Sequence, residues 1–174
     1  MPSYNIRHAK FEDAETLGHI GVATFVESYT SDIEGPAMIA HCTREHSRQV
    51  YETYLQRDRT GCWLAEHEET RAPIGYALNC TPDLPIETTD NDIELKRIYV
   101  LSTYQGAGVA AALLEAASTH ARTQNAKRLL LGTYEENHRA MAFYTKHGFA
   151  TVGTRKFNVG GKIYDDIIMA KVLD

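Results

Sequence analysis

The sequence predicts an α/β (α+β) fold with one mixed sheet, and three observations predict it. Residues 93–133 read as strand, loop, amphipathic helix, strand, which is a βαβ unit. Further strand-like runs lie on both sides of that unit, so its sheet is extended in both directions. Helical spacing fills most of residues 10–57. A chain of 174 residues without repeats, low-complexity segments or an internal linker fits a single domain, 1–174.

Taken in order, Tyr4–His8 is expected as a short strand. Lys10–Tyr29 carries Ala14, Leu17, Ile20, Val22 and Phe25 at helical spacing and is entered through Asp13. Ser31–Pro36 breaks that helix, and Ala37–Arg57 reads as a second one, polar, with Val50, Tyr54 and Leu55 inward. Cys62–Glu66 and Ile74–Asn79 make a hairpin around Glu68–Pro73. Thr81–Asp92 is a loop with two prolines, and Ile93–Val100 the next strand. A helix from about Ala107 to Gln124 places Val109, Leu113, Ala117 and Ala121 at i, i+4 spacing, with Leu114 beside them. Arg128–Thr133 is a buried strand, and Asn137–His147 a short helix closed by Gly148. Phe149–Arg155 and Ile163–Val172 are final strands around Gly160-Gly161.

Composition narrows the function. Net charge is −5 with no basic tract, which gives no clustered Lys and Arg for a nucleic-acid partner. Apolar runs are far shorter than the ~20 residues that span a bilayer, and the N-terminus has no signal-peptide core, so no membrane association is expected. Cys42, Cys62 and Cys80 are odd in number and contain no CxxC pair, which fits reduced thiols in a cytoplasmic protein and no metal site. His41 and His46 lack clean i, i+4 spacing and read as surface residues.

Gln105-Gly106-Ala107-Gly108-Val109-Ala110 joins a strand to a helix N-terminus. Glycines let a ligand approach the backbone, and the helix start adds unpaired N–H groups and partial positive charge, a combination suited to a pyrophosphate. The glycines alone fit a plain turn equally well. They also match the dinucleotide pattern G-x-G-x-x-A. Against that stand the residues Leu101–Gln105 between strand and first glycine, the charged strand Glu94-Leu95-Lys96-Arg97, and too little following chain for a doubly wound sheet.

Two blocks go further. ELKRIYVLSTYQGAGVAAALLEAA followed by NHRAMAFYTKHGF resembles the GCN5-related N-acetyltransferases (GNAT). Gln105-x-x-Gly108-x-Ala110 matches that family's Q/R-x-x-G-x-G/A signature, and Asn137-x6-Tyr144-x3-Gly148-Phe149 its second block. The tail, GTRKFNVGGKIYDDIIMAKVL, looks like polyamine acetyltransferases of the PaiA type. The resemblance implies a mostly antiparallel central sheet splayed at its fourth and fifth strands and flanked by about four helices. It implies acetyl-CoA as cosubstrate, with Gln105, Gly106, Ala107, Gly108, Val109 and Ala110 under the pyrophosphate. Backbone groups of Ile98, Tyr99 and Val100, freed by a bulge, would pair with the pantetheine amides, and Asn137 would contact coenzyme A besides capping its helix.

The catalytic roles implied are Glu94, eleven residues before Gln105, as general base and Tyr144 as general acid. Glu94 also reads as an ion-pair partner of Lys96, and Tyr144 as packing beside Phe143. The Val100 N–H is suited to the oxyanion formed when an amine attacks a thioester. A small-molecule amine is the expected acceptor. The tail and the acidic run Asp83, Glu87, Asp90, Asp92, Glu94 favour a polyamine, with a protein N-terminus or another small amine as alternatives. Acceptor choice would lie with 25–40, where Phe25 and Tyr29 are candidates, and with 157–164. Asp165-Asp166 reads as a solvated strand end or a substrate contact. A homodimer is a family-level expectation. A coenzyme A-binding regulatory module without catalysis is the reading from another class.

Overall fold

The structure, a computed structural model, describes residues 3–174. Seven strands form one sheet in the order β1-β2-β3-β4-β5-β7-β6. They are β1 (Tyr4–His8), β2 (Gly61–His67), β3 (Pro73–Cys80), β4 (Asp92–Val100), β5 (Arg128–Tyr134), β6 (Ala150–Val159) and β7 (Lys162–Val172). Every neighbouring pair is antiparallel except β4 and β5, which are parallel and joined through a helix. The helices are α1 (Ala14–Tyr29), α2 (Gly35–Glu45), α3 (Arg48–Gln56), α4 (Val109–Thr123) and α5 (His138–Lys146). None is long and apolar enough to cross a membrane.

The helix expected over 37–57 is two helices, which gives five where about four were expected. His46 ends α2 with φ −123°, and Ser47, extended at ψ 156°, caps α3 by accepting a hydrogen bond from Val50 N at 3.3 Å. A serine at this point competes for the backbone and favours a new start over continuation. The break folds α3 against α1, where Gly18 and Gly21 leave room: a Cβ on Gly21 would lie 2.3 Å from His46 Nδ1. Restarting the helix also shifts its inward face. Tyr51 is fully buried, whereas Val50, Tyr54 and Leu55 are only partly so. His41 and His46, expected on the surface, are 5% exposed and pack with Phe25. Of this pair, α2 borders a cleft with His41, Arg44 and Glu45, whereas α3 covers the core.

The α4 spacing is realised as expected, with Val109, Leu113, Leu114, Ala117 and Ala121 all buried against Ile93, Leu95, Leu129 and Leu131 of the sheet. Leu17, Ile20, Tyr51, Leu64, Tyr76 and Leu78 form the core on the other face, under α1 and α3. Alternation along β3 serves both layers, Ala77 facing one and Tyr76 and Leu78 the other. Gly160 and Gly161, at φ 60° and 91°, make the tight turn between β6 and β7. That turn rests on α2, where a Cβ on Gly160 would lie 2.3 Å from the Ala37 Cβ.

Two irregularities in β4 matter most. Leu78 pairs with Arg97 and Asn79 with Leu95, so Lys96 is an extra residue and β4 bulges. Pairing with β5 runs only through Asp92↔Arg128, Ile93↔Leu129 and Glu94↔Leu130, after which the two strands separate. Their junction is clamped by Asp92, 1% exposed, whose two oxygens receive Arg128 Nε and Nη2, each at 2.8 Å. Burial raises the Asp92 pKa, but hydrogen bonds from Arg128 and from Thr89 outweigh it and hold the carboxyl below its ordinary range. Asp92→Ala is expected to cost about 2 kcal/mol in a urea unfolding series, because Arg128 loses a buried partner but can turn to solvent. A cost below about 0.5 kcal/mol would show that the clamp carries no weight.

Candidate active site

The separation of β4 from β5 opens a cleft of about 810 Å³. Its floor is residues 94–100 of β4 and Leu131–Tyr134 of β5; α1 and α2 wall one side, and α5 with the start of α4 the other. On their β5 side, Ile98, Tyr99 and Val100 have no strand partner. Backbone N–H and C=O groups left unpaired beside a cavity suit an extended amide-bearing ligand, which completes the ladder as a strand would.

One end of the cleft is the glycine segment. Gly106 and Gly108 sit at φ 86° and 85°, in the left-handed region where a side chain is strained, and Gly108 is the N-cap of α4. A Cβ on Gly106 would meet nothing within 4 Å, so the loop is open where a ligand would sit. Gln105 Nε2 donates to the Val100 carbonyl at 3.2 Å and Arg139 Nη1 to Gln105 Oε1 at 2.6 Å. Gln105 therefore ties the loop to both the β4 edge and α5, and Arg139 sets a fixed positive charge beside the N–H groups of the α4 start. Gln105, Gly106, Gly108 and Ala110 line the cleft; Ala107 and Val109 do not, and Val109 is buried in the core under α4. Sequence reading missed Arg139, although its place two residues after the α5 cap was a usable signal. Asn137 is that cap: its Oδ1 accepts from Ala140 N at 3.1 Å, and the residue also faces the cleft.

Tyr144 projects from α5 into the same space and is 8% exposed, packed edge-on between Phe143 and Phe149. Burial raises its pKa well above the ordinary phenol value, and a charge on Tyr99 would raise it further. The group stays protonated at any physiological pH. Glu94 lies where the strands part, 2% exposed. Its Oε2 accepts a hydrogen bond from Asp83 N at 2.8 Å, and its Oε1 stands 3.6 Å from Lys96 Nζ. The ion pair with Lys96 is thus present, at a distance longer than a hydrogen bond, and Glu94 lines the cleft as well.

Opposite the glycine loop the cleft is aromatic and charged. Phe25 and Tyr29 both line it, and the Tyr29 and Tyr99 hydroxyls lie 3.4 Å apart. Arg155 Nη2 donates to Asp166 Oδ2 at 2.6 Å, both facing the cleft, so Asp166 is a buried, paired carboxylate; Asp165 is half-buried and pairs with Lys156. Of the acidic run, only Glu94 reaches the cavity; Asp92 is occupied by Arg128. Among the described residues no group of His, Cys, Asp and Glu could hold a metal ion.

A phosphate-suited helix start, a strand gap with free amide groups and a buried phenol are the parts of an acyltransferase that takes its acyl group from a long thioester substrate. Comparison with known proteins makes this specific. Residues 24–149 match the acetyltransferase (GNAT) family. The chain is 30% identical over 161 residues to an uncharacterised N-acetyltransferase of Mycobacterium tuberculosis, covering 92% of this chain and 98% of that one. Among solved structures it is similar to the PaiA N-acetyltransferase of Thermoplasma acidophilum in complex with coenzyme A, with TM-score 0.78 and 20% identity over 98% of this chain and 99% of that one. It is also similar to a ribosomal-protein-alanine N-acetyltransferase of Brucella melitensis, with TM-score 0.73 and 28% identity over 97% of this chain and 99% of that one. The chain belongs to the GNAT family and is an N-acetyltransferase with acetyl-CoA as cosubstrate.

Proposed function

We propose that the protein moves the acetyl group of acetyl-CoA to a small primary amine by direct attack within a ternary complex, with Glu94 as base and Tyr144 as acid. The observation that carries this reading is that one cavity is lined by the glycine loop, the unpaired β4 edge, Glu94 and Tyr144. The loop N–H groups, Arg139 and the α4 start would hold the pyrophosphate, and Ile98–Val100 the pantetheine amides, which aims the thioester at the middle of the cleft. An alkylamine has a pKa near ~10.4 and arrives protonated. Glu94 keeps Oε2 on a backbone N–H, and Oε1, 3.6 Å from Lys96 Nζ, would take the proton directly or through a water. The Val100 N–H would stabilise the oxyanion. Tyr144 then protonates the departing thiolate.

A polyamine is one acceptor this reading admits. Its support is Glu94, Asp32, Glu45 and Asp166 around the cleft, since the rest of the acidic run lies outside it. Three buried free thiols suit a cytoplasmic enzyme, and a homodimer remains the family expectation, read by its mass in solution.

Release of coenzyme A thiol tests the reading across spermidine, spermine, amino acids, amino-acid amides and alanine-ended peptides. At least one amine should be turned over, and Glu94→Gln should lower kcat by about 10²-fold with acetyl-CoA affinity unchanged. Binding of acetyl-CoA without turnover of any amine would favour the regulatory module.

A further inference from the structure

We propose that the acceptor half of the cleft recognises an amine that also carries a carboxylate, and that Arg97 grips that carboxylate. The proposal deepens the amine-acceptor reading above and rests on it.

Arg97 owes its position to the β4 bulge. Leu78 pairs with Arg97, so Arg97 shares the α1/α3 face with Leu78 and Tyr76; the extra residue Lys96 puts it there. The side chain is 9% exposed and lines the cleft. Nη1 has no hydrogen-bond partner and is closed to solvent. The guanidinium carbon lies 5.3 and 5.6 Å from the centres of the Tyr51 and Tyr54 rings, which cradle a cation without neutralising it. Its ionic partner is Glu45, whose Oε2 stands 3.5 Å from Nη2.

That partner is a weak one. The Glu45 side chain is 36% exposed at the end of α2, and its Oε1 already accepts from Arg44 Nε at 2.8 Å. The neighbouring pair is tighter: Arg155 Nη2 holds Asp166 Oδ2 at 2.6 Å, with the two side chains 18% and 7% exposed. A buried guanidinium is costly unless an anion meets it at hydrogen-bond distance. Arg97 is desolvated and faces only a partly exposed carboxylate at 3.5 Å. A guanidinium in this condition beside a substrate cavity is complemented by a carboxylate that takes the place of Glu45 at Nη2. Glu45 then acts as a place-holder that swings to solvent when the acceptor enters. The two neutral imidazoles and the ring of Phe25 beside this position add no competing anion.

The test compares L-amino acids with their amides as acceptors, a change that removes the negative charge and little else. Thiol release should be at least about 10-fold more efficient in kcat/KM for the preferred amino acid than for its amide. Arg97→Gln should lower kcat/KM for that amino acid by about 10²-fold and leave its amide and acetyl-CoA binding within a few-fold. If Arg97→Gln does not fold, Glu45→Gln decides: removing the place-holder should lower KM for the amino acid several-fold. Calorimetric binding of N-acetyl amino acids against their amides needs no turnover. Carboxylate-selective binding without turnover of any amine would uphold the anion subsite while removing the catalytic reading. Preference for amides or spermidine in the unaltered protein, or a higher amino-acid KM in Glu45→Gln, would overturn the assignment.

Discussion

Replacing Tyr144 with phenylalanine is expected to lower kcat by about 10²–10³-fold while leaving the acetyl-CoA dissociation constant within a few-fold. The substitution removes one hydroxyl and keeps the ring between Phe143 and Phe149, so packing and the cleft shape are retained. What is lost is a proton at the point where the thiolate leaves. The hydroxyl is held in a buried setting that opposes its ionisation, with Tyr99 close enough to reinforce the effect. The sign follows directly: a phenol whose pKa is raised stays protonated through the alkaline range used for acetyl transfer to amines. The kcat profile of the unaltered enzyme should therefore stay flat from neutrality to about pH 10, where an unperturbed phenol is already half ionised. An alkaline fall with a midpoint at pH 8–9 would assign the proton to another group. Wild-type kcat in Tyr144→Phe would remove the tyrosine from the mechanism.

The parts of this site that sequence made legible are those written in backbone chemistry. Gln105–Ala110 is ambiguous alone and becomes legible together with the Asn137–Phe149 block, in which Asn137 and Gly148 bracket α5. The α4 spacing predicted its buried face residue by residue. The acceptor side was less legible because its residues are brought together only by tertiary geometry. Arg97, His46 and Arg155 are distant in sequence, and each reads as an ordinary polar residue within its own element. The bulge that moves Arg97 to the cleft-side face leaves no trace in composition, since the extra residue, Lys96, is as charged as its neighbours. The helix break at Ser47 was missed for a related reason: helical spacing persists on both sides of it, and a serine within a polar run carries little weight until the bond from Val50 N is seen. The acidic run misled in the other direction, because proximity in sequence did not become proximity in the cavity.

His46 should make the protein sensitive to mild acid. Its pKa is lowered from the ordinary value of about 6.5 to about 3, chiefly by burial and then by the charge of Arg97. It is packed against Gly21 and Phe25 of α1, His41 of α2, Tyr51 of α3 and Arg97 of β4, and none of these offers a negative charge. Its Nδ1 lies 2.9 Å from the Tyr51 hydroxyl, which donates onward to Tyr76 at 3.2 Å, so the neutral ring supplies the Nδ1 proton. The unfolded chain takes up a proton as pH falls through about 6.5, whereas the folded chain refuses it until about 3. Stability is therefore fully present above pH 6.5 and is lost as pH falls, with a slope approaching about 1.4 kcal/mol per pH unit. His41, lowered by burial, acts in the same direction. Asp13 and Asp92, whose pKa values are depressed by arginine partners, add their loss only below the ordinary carboxylate range. The interval from pH 6.5 to 4.5 consequently isolates the histidines. Urea midpoints across that interval should fall steadily in the unaltered protein and much less in His46→Gln, whose amide can still donate to Tyr51. An unchanged slope in His46→Gln would mean that another group carries the acid sensitivity.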